Sequence, residues 1–166
     1  MEATLRPATA ADLPALTAVY NHYVEHTAIT FDLEPFTAET RRPWFEGFGA
    51  DPRHRLLVAE GAGAVLGYAC SGRLRPKAAY DASVETTIYL TPEACGRGLG
   101  KRLYGRLLEE LAAAGVHRCY GVVTLPNDAS LALHRALGYR EVGRLHECGR
   151  KFDRWWDVAW LEKALP

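Results

Sequence analysis

Charge of one sign is missing from this chain: twenty Lys and Arg face twenty Asp and Glu in 166 residues. Residues 1–83 hold eight basic against ten acidic side chains, and residues 84–166 hold twelve against ten. Neither half is basic enough to hold nucleic acid or an anionic membrane surface, so no such partner is expected. Long apolar runs are missing too. None approaches the roughly 20 residues that span a bilayer. Met1 to Arg6 lacks the charged-then-apolar order of a secretory signal, so a cytoplasmic protein is expected. Metal-ligand spacing is absent. Cys70, Cys95, Cys119 and Cys148 form no Cys-x-x-Cys pair, and the six histidines are scattered. The cysteines read as reduced thiols, and no metal is expected. Repeats, low-complexity tracts and linkers are absent as well.

What is present is a core. Hydrophobic residues make up 48% of the chain, enough for one domain over residues 1–166. Leu5–Ala8 reads as an opening strand. Thr9 and Asp12 fit a capping box. Leu13, Leu16, Val19, Tyr20 and Tyr23 follow at helical spacing to about His26. A second helix starts near Thr37 and carries Trp44, Phe45 and Phe48, kept short or bent by Pro43. Residues 55–60 and 64–72 form a hairpin about Gly61-Ala62-Gly63. Ala82–Leu90 is a strand rich in Val, Thr, Ile and Tyr, and Thr91–Gly100 a loop. Gly100–Ala114 is an amphipathic helix with Leu103, Leu107, Leu108 and Leu111 on one face, and Gly115 stands at its C-terminal cap. Cys119–Thr124 is a buried strand. A helix capped by Asn127 or Asp128 runs to Leu137. Tyr139–His146 and Trp155–Glu162 are the last strands. Strands joined by helices and hairpins predict an α/β chain: a mixed sheet with helices on both faces.

Cys95-Gly96-Arg97-Gly98-Leu99-Gly100-Lys101-Arg102 is the most informative stretch. It follows a strand and opens a helix. Unpaired amides at a helix N-terminus hold anions, and glycines let backbone curl around a phosphate. Arg97, Lys101 and Arg102 add charge. The bland alternative is a tight turn, but alternate glycines exceed what a turn needs. Two nucleotide patterns fail on spacing. A Walker A loop needs glycine where Cys95 stands and a hydroxyl residue where Arg102 stands. A dinucleotide fingerprint counted from Gly96 or Gly98 ends on Lys101 or Leu103.

The loop resembles the acyl-CoA loop of the Gcn5-related N-acetyltransferases, Arg/Gln-x-x-Gly-x-Gly/Ala, with its glycines on Gly98 and Gly100. Cys95 departs from the Arg/Gln position, which throws acetyl-CoA binding onto backbone amides. Further segments are similar to the phosphinothricin and methionine sulfone N-acetyltransferase branch. They are Asn21–Thr27, Phe31–Pro35, Arg75–Tyr80, Leu125–Ser130 and Leu133–Tyr139. The tail pieces Val142–Arg144, Gly149–Phe152 and Trp156–Val158 agree as well. The likeness covers nearly the whole chain, in order.

That resemblance implies a mostly antiparallel twisted sheet flanked by helices. It implies acetyl-CoA as co-substrate and a small amino-acid analogue as acceptor. Transfer to an amine needs a base for the ammonium, a donor to the thioester oxygen and an acid for the leaving thiolate. Glu85, mid-strand, matches the base; an exposed strand glutamate is the alternative. Ile88, Tyr89 and Leu90 run beside the pantetheine, and a bulge there would aim an amide at the carbonyl. Gly96, Arg97, Gly98, Leu99, Gly100 and Lys101 hold the diphosphate. Asn127 bonds the pantetheine or simply caps its helix. His134 stands seven residues on, where relatives carry a tyrosine acid, and either does that work or packs beside the helix. Arg73, Arg75 and Tyr80, with Phe31 as a wall, are the acceptor-binding candidates. No cysteine sits at a nucleophilic position. Other acceptors (a polyamine, a protein N-terminus, an aminoglycoside) and a non-catalytic CoA-binding domain remain as alternatives. The branch and the Trp-rich tail imply a homodimer.

Overall fold

The computed structural model describes residues 3–166. In chain order these form β1 (Thr4–Pro7), α1 (Leu13–His26), α2 (Ala38–Glu46), β2 (Leu56–Gly61), β3 (Ala64–Arg73), β4 (Ser83–Leu90), α3 (Leu99–Ala113), β5 (Arg118–Leu125), α4 (Asp128–Ala136), β6 (Arg140–Lys151) and β7 (Arg154–Ala164). The strands make one sheet in the order β1-β2-β3-β4-β5-β7-β6. Only the central β4–β5 pair is parallel. Among the described residues no helix is long and apolar enough to cross a membrane.

Alternation along the strands gives the sheet two faces. Leu57, Ala59, Ala69 and Val84 pack with Leu103, Tyr104, Leu107 and Leu111 of α3. Their neighbours Leu56, Val58, Tyr68 and Cys70 pack with Leu16 and Val19 of α1. Helices therefore cover both faces, as the sequence pattern predicts. The capping box forms as Thr9 donates its amide to Asp12 Oδ2 at 2.7 Å. It heads a 3-10 turn, not α1 itself. Arg6 clamps Asp12 and Glu60 there and holds the Asp12 carboxyl down at about 2.

One expectation changes. β6 does not stop near His146 but runs to Lys151 and turns into β7 through Phe152 and Asp153, both at positive φ. Register shifts between Glu141 and Gly143 and between Leu145 and Gly149 break its alternation. A second point concerns β4, where the sequence left a bulge open. It has no bulge, since its register with β3 is continuous from Arg73↔Val84 to Gly67↔Leu90. What frees its amides is the other edge. Pairing with β5 stops at Glu85↔Tyr120, and the two strands then part.

Candidate active site

His134 of α4 packs against β5 where β4 and β5 part. A Cβ on Gly121 would lie 2.5 Å from His134 Nε2, so the bare backbone of β5 admits the imidazole of α4. His134 is 4% exposed and wedges in just past the last paired residues. Its Nδ1 donates to Ser130 O at 2.8 Å. That leaves Nε2 as the acceptor of the neutral ring, 3.2 Å from the Tyr104 hydroxyl. The single Tyr104 proton is shared between Nε2 and Thr86 Oγ1 (2.7 Å), and Thr86 Oγ1 donates in turn to Tyr120 O across the split (3.1 Å). Burial lowers the His134 pKa, with the Ser130 bond opposing it.

The open edge of β4 is a row of donors. Thr91 N donates to Leu66 O of the β3 side at 2.8 Å. Amides alternate in a strand, so Thr86, Ile88 and Leu90 turn theirs toward the gap. Leu90 O there accepts from the Tyr23 hydroxyl at 2.5 Å. Three cavities meet along this gap. A groove of about 430 Å³ runs along Ile88, Tyr89 and Leu90 to Cys95, Gly96, Gly98 and Gly100. A cleft of about 50 Å³ between the strands is lined by Thr86, Ile88, Asn127, Ser130 and His134. A third cavity, about 420 Å³, opens on the α1–α2 side.

The glycine loop leaves open space at the head of α3. Gly96 and Gly98 sit at φ +73° and +76°, and neither has an atom within 4 Å of where a Cβ would be. Gly98 is the N-terminal cap of α3. The first amides of a helix have no intrahelical partner and so face this space. Arg97 and Lys101 are exposed. Leu99 is 7% exposed, its side chain in the core, so only its backbone serves the loop. Cys95 lines the groove with its Sγ 3.5 Å from Thr91 O. Asn127 Oδ1 accepts from Ser130 N at 3.1 Å, the capping reading, while the residue also lines groove and cleft.

Glu85 faces the α1–α2 side, half-buried, where the 420 Å³ cavity meets a lobe of about 380 Å³. Burial raises its pKa, and the charge of Arg75 pulls against that. The structure brings Phe31 into the larger cavity. The Phe31 ring fills the place of a side chain on Gly149, whose Cβ would lie 2.1 Å from Phe31 Cε2. Arg73 lines the lobe and lies 3.6 Å from Asp81. Arg75 Cζ stands 5.5 Å from the Trp160 ring. Tyr80 is 45% exposed on a 3-10 turn and lines none of these cavities.

Sequence reasoning missed the far wall of the larger cavity. Tyr20, Thr30, Arg41 and Tyr68 form it. Tyr20 bonds Thr30 Oγ1 at 2.7 Å and donates to Asp32. Lys151, 4% exposed, donates to Thr30 O at 2.9 Å, and Asn21 holds Phe36 by both backbone groups. Arg41 could have been found. It shares a helical face with Trp44 and Phe45, three and four residues on, and Phe48 lies past the end of α2.

Comparison with known proteins agrees with this geometry. The chain matches the Acetyltransferase (GNAT) family over residues 16–139. It is 51% identical to a Streptomyces coelicolor protein named phosphinothricin N-acetyltransferase, over 99% of this chain and 97% of that one. It is 35% identical to a Pseudomonas paraeruginosa L-methionine sulfoximine/L-methionine sulfone acetyltransferase, over 99% and 96%. A Sinorhizobium meliloti phosphinothricin acetyltransferase, solved in complex with AcCoA, superposes with a TM-score of 0.94 at 36% identity, over 99% of this chain and 89% of that one. The parted central strands, the glycine loop and these likenesses together make this chain an N-acetyltransferase of the Acetyltransferase (GNAT) family.

Proposed function

We propose that residues 1–166 act as one domain that acetylates the α-amine of a small amino-acid analogue, such as phosphinothricin, methionine sulfone or methionine sulfoximine, with acetyl-CoA as donor. The observation that carries this reading is the position of Glu85. It is a half-buried carboxylate with a raised pKa, at the edge where the acceptor cavity meets the parted strands. The named substrates of the relatives support the acceptor class.

The fit to acetyl-CoA rests on the open space at Gly96 and Gly98 beside the N-terminus of α3. Gly96, Arg97, Gly98, Leu99, Gly100 and Lys101 hold its diphosphate, and Ile88, Tyr89, Leu90 and Asn127 its pantetheine. The co-substrate supplies an activated thioester acetyl group. Glu85 takes the proton from the ammonium, directly or through water, and frees the lone pair. The amides of β4 that face the gap donate to oxygen as charge develops there; as the carbon–nitrogen bond forms and the carbon–sulfur bond breaks, the second nitrogen proton passes through water to the departing thiolate. Arg73, Arg75 and Phe31 serve the acceptor, with Tyr80 the weakest of the proposed contacts because it lines no cavity. We place the protein in the cytoplasm and assemble it as a homodimer through the β6–β7 hairpin. That hairpin exposes Val142, Leu145, Phe152 and Trp155.

A thiol-release assay with acetyl-CoA tests the reading. Phosphinothricin, methionine sulfone and methionine sulfoximine are expected to give at least about 100-fold higher kcat/KM than spermidine or an N-terminal peptide, as a cavity bonded to several polar groups discriminates. Faster release with spermidine or the peptide would replace the acceptor class. No release with any amine would favour a CoA-binding domain.

The pH profile separates the two readings of His134. As the thiolate's acid it must be protonated, and burial lowers its pKa below the usual value near 6.5. As a wedge it stays neutral. We adopt the wedge, with Glu85 alone titrating. The kcat/KM is then expected to rise with pH through a value above that of an ordinary glutamate, and to stay level from about pH 6.5 to 8.5. A fall that sets in below about pH 6.5, where the lowered imidazole pKa puts it, and that disappears in His134→Gln would restore the acid role.

A further inference from the structure

Arg41 is the buried charge that the acetyl-transfer scheme leaves unused. It is 5% exposed. Nη1 donates to Leu16 O at 2.8 Å and Nη2 to the Tyr68 hydroxyl at 2.7 Å. Its Cζ stands 4.1 Å from the centre of the Tyr20 ring and 4.0 Å from that of Trp44. Both faces of the guanidinium are thus covered, and it keeps donors on its edge, since a guanidinium has five N–H groups. Among the described residues no carboxylate comes within 4.0 Å of it. Yet it lines the same cavity as Glu85.

A cation taken out of water needs a counter-charge. A carbonyl, a phenol and two rings offset part of the cost. The remainder calls for an anion, and the open side is the cavity. Asp32 does not supply one: it is exposed at the rim and accepts from the Tyr20 hydroxyl. Cys70, on the cavity floor, lies within electrostatic reach of both Arg41 and Glu85. Arg41 and Glu85 thus line one cavity, a cation and a carboxylate with Cys70 in reach of both. That is the complement of a zwitterion, whose ammonium goes to Glu85. We infer that Arg41 receives the α-carboxylate of the acceptor, so that the cavity selects α-amino acids over amines that lack this group. The inference rests on the amino-acid reading above and adds the residue that enforces it. Arg73 and Arg75, near Glu85, are left for the distal oxygens of the analogue. Tyr68, which holds Nη2, is a positioning residue.

The test compares methionine sulfone with its decarboxylated amine, 3-(methylsulfonyl)propan-1-amine, in wild type, Arg41→Lys, Arg41→Gln and Tyr68→Phe. Acetyl-CoA KM and a melting curve accompany each. Wild type is expected to prefer the acid by about 100-fold, the scale of a charge-assisted contact. Arg41→Gln should bring that ratio to within about threefold of unity by raising the KM of the acid, and Arg41→Lys should recover part of it. Tyr68→Phe should lower the ratio by about three- to tenfold; it decides the matter alone if Arg41→Gln does not fold. A preference for the acid that survives Arg41→Gln, or in the absence of that protein survives Tyr68→Phe, overturns the role of Arg41 and leaves the acceptor class standing. Equal loss on both substrates assigns Arg41 to the fold and overturns it too. A wild type that acetylates the amine as fast as the acid overturns both the inference and the amino-acid reading.

Discussion

Replacing Glu85 by Gln is expected to lower kcat by about 10²- to 10⁴-fold, the range that a positioned general base contributes. The acetyl-CoA KM should stay within about twofold, because Glu85 faces the α1–α2 side while the glycine loop lies in a separate groove. Stability should move the other way. Burial raises the Glu85 pKa, so the fold disfavours the ionised form. Stability is then lost as pH climbs from the unfolded carboxylate value, about 4.3, through the folded value. Glutamine carries no such cost, and the variant should melt no lower than wild type at pH 8. A steady-state assay with methionine sulfone and a thermal melt check both halves. A kcat within about threefold of wild type would remove the base from Glu85.

Much of this was legible because the features are local. The glycine loop sits between a strand and an amphipathic helix, and its spacing excluded two nucleotide motifs before any fold was known. Glu85 stands out as a carboxylate inside Val84–Leu90. Helices on both faces follow from strands joined by helices and hairpins, and Leu56–Ala59 is apolar on both sides of β2. The pattern failed where alternation failed. The shifts at Glu141/Gly143 and Leu145/Gly149 hide the second half of β6. Its turn uses Phe152 and Asp153 at positive φ, with no glycine to announce it.

The site was less legible for a different reason. Its walls come from segments far apart in sequence. Lys151 meets Thr30, and Phe31 meets Gly149, across more than a hundred residues. A glycine in a strand reads as a weak point until the ring that needs its space is seen; Gly121 and His134 teach the same lesson. The acceptor cations expected at Arg73 and Arg75 were chosen for nearness to β4 in sequence. Arg41 and Arg42 look the same by residue type. One is a buried donor and the other exposed, and only the phase of α2 tells them apart.

The glycine loop gives the second large effect, and Gly98 is the residue that isolates it. At φ +76° most side chains would strain the turn, but Asn and Asp tolerate this region and also favour helix N-terminal caps. No atom lies within 4 Å of the Cβ that either would add, so the apo fold has room for both. They are nearly the same shape and differ by one negative charge. Gly98→Asn should raise the acetyl-CoA KM by about tenfold, through the side chain placed in the diphosphate's path. Gly98→Asp should raise it by about 100-fold, because a carboxylate then meets the diphosphate in the space where the α3 amides point. Both should fold within about 1 kcal/mol of wild type. The gap between them should shrink in high salt, as screening weakens an exposed repulsion but leaves a steric block unchanged. Initial rates against acetyl-CoA at saturating acceptor, at low and high salt, read all three quantities. If the Asp variant binds as tightly as the Asn variant, the diphosphate lies elsewhere and the loop is only a turn.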